Sequence, residues 1–391
     1  MLRKTIFWTH LSCGVGAGIV ILMMSATGVL LTYERQILAW AERDLYVEPP
    51  VDAERLGIAA LLDAVRREDP TFTPTSIIFQ ADPRAPVSLA AGRADSRNIN
   101  PYTGELVAEP EGGLHAFFDT ITAWHRWFNV SDENRDAARA ITGASNLVFL
   151  LLLLSGLYLW LPPIYNRVAF RTRLLFNAKA QTSKARDFNW HHVFGIWSVV
   201  PLVIIVATAT VFSYGWANDL VYRSLGEEPP VRGPGAPAAQ SPSLVPSHHA
   251  LSLDELTARA AAEVPGWKNL TLTLPAANAT GVQFALDRGN GGQPQHRHDL
   301  TLDAATGAVV ASQPSSSGSP GRKARSIIRF LHTGEVLGIA GQTVAGIVSL
   351  TSVIMVWTGL ALAYRRLIAP LFRRTKRIGR PAGDGAADYS A

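Results

Sequence analysis

Apolar and polar positions divide this chain into four long uncharged runs and the polar stretches between them. Phe7–Tyr33, Ala140–Leu161, Trp190–Tyr214 and Val336–Tyr364 contain no Asp, Glu, Lys or Arg. Each is long enough to cross the hydrocarbon core of a bilayer as a helix. The first run is too long for a cleaved leader and lacks a clear small-residue cleavage site, so it reads as a retained helix. Its pattern also recurs in mid-chain. "WTHLSCGVG" aligns with "NWHHVFGIW" so that His10 falls on His191, Ala26-Thr27 on Ala207-Thr208 and Tyr33 on Tyr214. With a longer shift, Thr103-Gly104 falls on Thr306-Gly307, Gly143 on Gly346 and Ser155-Gly156 on Thr358-Gly359. The chain therefore reads as an internal duplication.

The two long polar stretches share one coarse order. In the first, Ala53–Glu68 has helical periodicity and stops at Asp69-Pro70. "SIIFQ" (76–80) and "VSLAAG" (87–92) read as strands, and Tyr102-Thr103-Gly104 reads as a turn into "ELVAE". In the second, Ser252–Glu263 reads as a helix opened by a Ser252–Glu255 capping box. "NLTLTL" (269–274), "VQFAL" (282–286) and "DLTLD" (299–303) read as strands, and Thr306-Gly307 turns into "AVVAS". Each stretch is expected to form its own small α+β domain. Residues 226–247 and 311–321 are rich in Pro, Gly and Ser and read as linkers. The predicted architecture is a bundle of four transmembrane helices with two small α+β domains, the polar part of 34–112 in one and 215–325 in the other. An interfacial helix covers 113–139.

Composition supports this reading. The chain is 48% hydrophobic and 17% charged, too apolar for an ordinary soluble protein. Arg and Lys are concentrated near the membrane ends: Arg3-Lys4, the stretch Arg167 to Arg186, and the tail from Arg365 to Arg380. With four spans these three regions share one side, which the positive-inside rule makes cytoplasmic. Both termini are then expected inside and both α+β domains outside, in the periplasm of a bacterial inner membrane. The basic runs hug membrane ends, so nucleic acid is not expected as a partner. The single Cys13 excludes an internal disulfide, and no C-x-x-C-H run offers covalent haem attachment.

Together, "WTHLSCGVGAG", "SATGVLLTYE", "NINPYTGELVAE", "LHAFFDTITAWHRWF" and "FLHTGEVLG" resemble the PepSY-associated transmembrane family over nearly the whole chain. In length and helix count the chain looks most like that family's ferrisiderophore reductases. The resemblance implies PepSY-like outer domains, two non-covalent b haems and reduction of a ferric siderophore to release ferrous iron.

Haem b iron takes two imidazoles presented at one depth in a helix bundle. His10 and His191 stand at the starts of runs one and three, and His125 and His332 stand just before runs two and four. The expected pairs are His10 with His191 and His125 with His332, one haem near each membrane face. Ionisable side chains at membrane depth are costly and usually functional. The ungapped repeat sets Asn129, one helical turn past His125, opposite His332, so His125 needs a local gap; His115 is an alternate. His192 beside His191 is another. Arg126 and Arg329 are candidate partners for haem propionates, or snorkelling interfacial cations. Trp124, Trp127 and Trp190 fit an aromatic belt. His296 and His298, two apart, would share a strand face. Gly14, Gly16 and Gly18 lie in a membrane run and fit close helix packing, not a dinucleotide loop.

Two functions follow. One is a di-haem oxidoreductase that carries electrons across the membrane to a ferric siderophore. No nucleotide motif is present, so its donor would be quinol or a partner reductase. The other is a non-enzymatic PepSY-type membrane protein that binds, senses or inhibits proteases, in which the histidines are structural.

Overall fold

A computed structural model describes residues 1–51, 53–92, 95–107, 113–230, 251–276, 279–314 and 319–372. In chain order the elements are α1 (Leu2–Leu31), α2 (Glu34–Ala41), α3 (Ile58–Glu68), β1 (Ser76–Gln80), β2 (Val87–Ala91), β3 (Asp95–Ile99) and β4 (Leu106–Val107). Then come α4 (Leu114–Trp127), α5 (Arg135–Trp160), α6 (Arg167–Leu174), α7 (Ser183–Ser213) and α8 (Gly215–Ser224). The chain continues with α9 (Leu253–Glu263), β5 (Asn269–Thr273), β6 (Gly281–Asp287), β7 (Arg297–Asp303), β8 (Val309–Pro314), α10 (Pro320–His332) and α11 (Gly338–Leu367). They divide into two compact units: Met1–Thr32, Thr120–Tyr214 and Thr343–Ala391 form one, and Tyr33–Asp119 with Gly215–Gln342 form the other.

The first unit is built on α1, α5, α7 and α11, which contain the four stretches long and apolar enough to cross a membrane. These helices are apolar all round, and side chains such as Ile19, Leu154, Val200 and Trp357 are exposed. In water that would be unstable; against lipid it is the expected surface. With little hydrophobic drive between helices in a bilayer, close packing and hydrogen bonds must hold them together. Gly18 lets Leu360 approach to 3.1 Å from where a Cβ would stand. Ser25 bonds Ser352 at 2.8 Å, joining α1 to α11. The Asn146 amide donates to the Val206 carbonyl and to the Thr210 hydroxyl, both at 3.0 Å, joining α5 to α7.

In the second unit the expectation of two separate small sheets is corrected. All eight strands form one antiparallel sheet in the order β4-β3-β2-β1-β5-β6-β7-β8. The two halves join where β1 pairs with β5, Ile77 opposite Leu272. Both of those side chains are fully buried, in a single core shared by α3 and α9. A four-stranded half alone would expose the edge of β1 or β5; pairing the two edges satisfies both. Asp254 at the start of α9 also accepts from the Ile58 backbone N–H at 2.9 Å, capping α3.

The predicted strands and the Ser252–Glu255 capping box are present. Three details differ. The first helix starts at Ile58, because residues 53–57 run irregularly and Leu56 N–H donates to the Pro101 carbonyl. The polar segment Asp95–Ile99 is a strand, with Arg97 bonded to Asp69 and stacked on Phe72. Within 311–321, β8 runs to Pro314 and α10 starts at Pro320, so only part of that stretch can be a linker. Most of the other expected linker, from 231 on, lies outside the described residues, as do His248 and His249. The Thr-Gly turns close in the same way: Asn100 and Asp303 accept from the backbone of Tyr102 and Thr306, and Gly104 and Gly307 take positive φ.

Candidate functional site

Between the four long helices of the first unit lies a cavity of about 1070 Å³. His10 on α1 and His191 and His192 on α7 line it. So do apolar side chains such as Leu11, Leu152, Ile196 and Leu360, and the bases Arg3, Lys4, Arg173, Lys184, Arg365 and Arg366 stand on its wall. These bases mark one end of the bundle, where α1 and α7 begin and α5 and α11 end.

The hydrogen bonds assign the tautomer of each ring. The His191 Nδ1 lies 3.0 Å from the Met355 carbonyl, which only accepts, so Nδ1 carries the proton. It also reaches the Thr358 hydroxyl at 3.2 Å, and that hydroxyl donates to the Ile354 carbonyl. On α1, His10 Nδ1 lies 2.9 Å from the Ser155 hydroxyl. Ser155 gives its own proton to the Leu151 carbonyl at 2.7 Å, so the imidazole donates here too. In the neutral form of each ring this placement of the proton leaves Nε2 as the lone pair, the form in which imidazole binds a metal, held by a second group on a neighbouring helix. The two settings match further. His10 packs on Gly156, where a Cβ would stand 3.3 Å from Cε1, and His191 packs on Gly359, where it would stand 3.2 Å away.

His192 also donates through Nδ1, to the Phe188 carbonyl one turn back at 2.8 Å, with its ring 4.1 Å from that of Phe188. It is held by its own helix, whereas His10 and His191 are each held across a helix interface. Near the opposite end of α1, His125 Nδ1 meets the Thr27 hydroxyl at 2.9 Å. Thr27 donates to the Met23 carbonyl, so His125 has the same tautomer. Its ring lies beside Gly28. His332, in the second unit, is the last residue of α10 and is half-buried.

The chain leaves α4 through Phe128 and Asn129, both at positive φ, and takes a longer path to α5 than the short turn through Gly334 that joins α10 to α11. His115 pairs with Glu42 at 3.2 Å on the second unit, which gives it an acidic partner of its own.

The expected propionate partners are exposed and stack on neighbouring rings, Arg126 over Trp127 at 4.8 Å and Arg329 over Phe330 at 5.5 Å. Trp127 also receives Arg135 and Arg139, and Trp190 receives Arg186. None of these residues lines the cavity. The cations that do were counted from sequence only as topology signals. Arg3 donates to the Leu159 and Leu161 carbonyls at the end of α5, and Arg173 donates to the Trp160 carbonyl. Burial and the adjacent Arg3 press Arg173 below the usual arginine range. Arg365 bonds the buried Asp187 at 2.6 Å, one turn before His191, and Arg186 holds the same carboxylate. Ser155, Thr358 and the paired glycines were aligned in the repeat, but their service to the histidines required the fold. His296 lies in a short turn before β7, so it shares no strand face with His298, which bonds Ser312 instead.

The donor set suits haem better than a bare ion. Among the described residues no three His, Cys, Asp or Glu side chains stand together as a metal site. Imidazoles on α1 and α7, an apolar cavity lined by both helices and bases at its rim are the kinds of group that the iron, the macrocycle and the carboxylates of haem b require. The family model described as the PepSY-associated TM region matches residues 7–366. Among curated proteins, none matches the chain.

Proposed function

The chain belongs to the PepSY-associated transmembrane family, and from that premise we propose that it is a membrane oxidoreductase that passes electrons across the bilayer to a ferric siderophore, releasing ferrous iron. The observation that carries this reading is the cavity wall, which His10 and His191 share, each with Nδ1 anchored on a neighbouring helix. Haem b held there would supply a one-electron ferric–ferrous couple. His10 and His191 would hold it, with Ser155, Thr358 and the Met355 carbonyl orienting their rings. The apolar lining would surround the macrocycle, and Lys4, Lys184 and Arg173 would offer charge to its propionates. A second haem on His125 and His332 rests on the sequence alone. In this reading the basic end of the bundle is cytoplasmic, the sheet-bearing unit is periplasmic, and quinol or a partner reductase is the donor.

The test is a dithionite-reduced minus air-oxidised spectrum of detergent-purified protein with pyridine haemochrome quantification. Six-coordinate b haem in the wild type, lost in H10A and in H191A, is the expected result. Reduction of a ferric siderophore is then followed with a ferrous chelator, with a quinol as donor. Folded protein that binds no haem overturns the reading and leaves the non-enzymatic PepSY-type binder.

A further inference from the structure

The segment between α5 and α7 carries a second feature, on the outer flank of the bundle. From Leu161 to Arg186 all six charged residues are basic. Their surroundings divide them. Arg173 turns to the end of α5, Lys184 lines the central cavity, and Arg186 holds Asp187. Arg167 and Arg171 stand one turn apart on α6, exposed, and neither forms an ion pair among the described residues. The Asn166 side chain caps α6 by accepting from Ala169 N–H at 2.8 Å, which orders the turn that displays them.

Arg167 and Arg171 both line a groove of about 660 Å³, together with Tyr165, Phe170, Leu174 and Trp197. Trp197 sits on α7, a helix apolar enough to span a membrane, and the residue is 69% exposed. Its one donor is used on the Leu174 carbonyl at 2.9 Å, so it offers the groove only an apolar face. Leu175, which also lines the groove, is exposed. One end of the groove therefore asks for an anion and the rest asks for hydrocarbon.

We propose that this groove binds an anionic glycerophospholipid, its phosphate on Arg167 and Arg171 and its acyl chains along Leu174 and Trp197. Charge complementarity selects the headgroup, since a cluster of bases at the end of a membrane helix attracts anionic lipid. The apolar wall selects a lipid over a soluble phosphate, which would leave Trp197 in water.

Native mass spectrometry of the full chain, released from detergent with equal amounts of phosphatidylglycerol and phosphatidylcholine, tests this. Wild type is expected to retain phosphatidylglycerol preferentially. The R167Q/R171Q variant should lose about tenfold or more of that retention with phosphatidylcholine unchanged, because each base near the surface contributes roughly one kcal/mol-scale step. W197A should also weaken phosphatidylglycerol retention. Should the double variant fail to fold, R171Q alone is expected to show a smaller loss in the same direction. Equal retention of the two lipids, or full retention of phosphatidylglycerol by a folded double variant, overturns the proposal. Displacement of phosphatidylglycerol by millimolar inorganic phosphate would assign the guanidiniums to a soluble anion and overturn it equally.

Discussion

Adding one methyl group behind either ligand-candidate histidine gives a sharp test of the site. In Gly359→Ala the new Cβ would stand 3.2 Å from His191 Cε1 and 3.6 Å from Nδ1; in Gly156→Ala it would stand 3.3 Å from His10 Cε1. Carbon atoms rest at about 3.5–4.0 Å, so each ring must retreat by roughly half an ångström. The His191 ring is tied by Nδ1 bonds of 3.0 Å and 3.2 Å, and such a retreat strains both. Overpacking of this kind costs about 1–3 kcal/mol. That corresponds to roughly 5- to 150-fold weaker retention of a group bound through Nε2. The assay is haem per folded chain after dilution into haem-free detergent. Thermal unfolding of the haem-free protein gives an independent reading of the same strain. Gly16→Ala on α1 is the control: no atom lies within 4 Å of its Cβ position, and alanine favours a helix over glycine. Both site variants holding wild-type haem, with unchanged melting, would refute the argument.

Three further outcomes are expected. Asp254→Ala should cost about 1 kcal/mol by uncapping α3, and amide exchange in the first turn from Ile58 should speed up before exchange in β6 does. Arg365→Ala should lower the thermal midpoint more than Asp187→Asn does, since removing one partner strands a buried charge; with Arg186 still in place the loss should fall at or below the low end of the roughly 3–5 kcal/mol seen for such pairs. Acid should weaken the sheet-bearing unit. The Thr306 backbone N–H and hydroxyl hold Asp303 below the usual carboxylate range, and the Thr71 hydroxyl and Arg97 do the same for Asp69. A lowered folded-state pKa adds stability that is complete above the unfolded value of about 4 and fades as pH falls through the folded value. Melting followed from about pH 5 to about pH 3 should fall in wild type and fall less in Asp303→Asn; a flat or rising wild-type curve would contradict it.

Local chemistry was legible where one segment settles its own state. The four uncharged runs could satisfy their backbone in lipid only as helices, and four such helices are present. Ser252 and Glu255 mark a helix start by closing two bonds on each other, and Asp303 with Gly307 marks a turn in the same way. The histidines were found because imidazole at membrane depth is costly, and His10 and His191 do share a cavity.

What sequence could not supply were relations between distant segments. Alternating strands such as Ser76–Gln80 and Asn269–Thr273 reveal which face is buried but not which edge each will pair, so two expected sheets became one. Arg126 and Arg329 adjoin His125 and His332 in the chain, whereas the bases on the wall of the His10 and His191 cavity, Arg3, Arg173 and Arg365, come from segments far apart in sequence. The residues that set the histidine tautomers, Ser155, Met355 and Thr358, lie on different helices from the rings they hold. Sequence by itself determined the long apolar helices, most of the strands, the membrane class and the choice of candidate ligands, because hydrophobicity and hydrogen-bonding capacity belong to single residues. Only the tertiary structure decided the shared sheet, the cavity and the anchoring of each histidine Nδ1, because those depend on which surfaces meet.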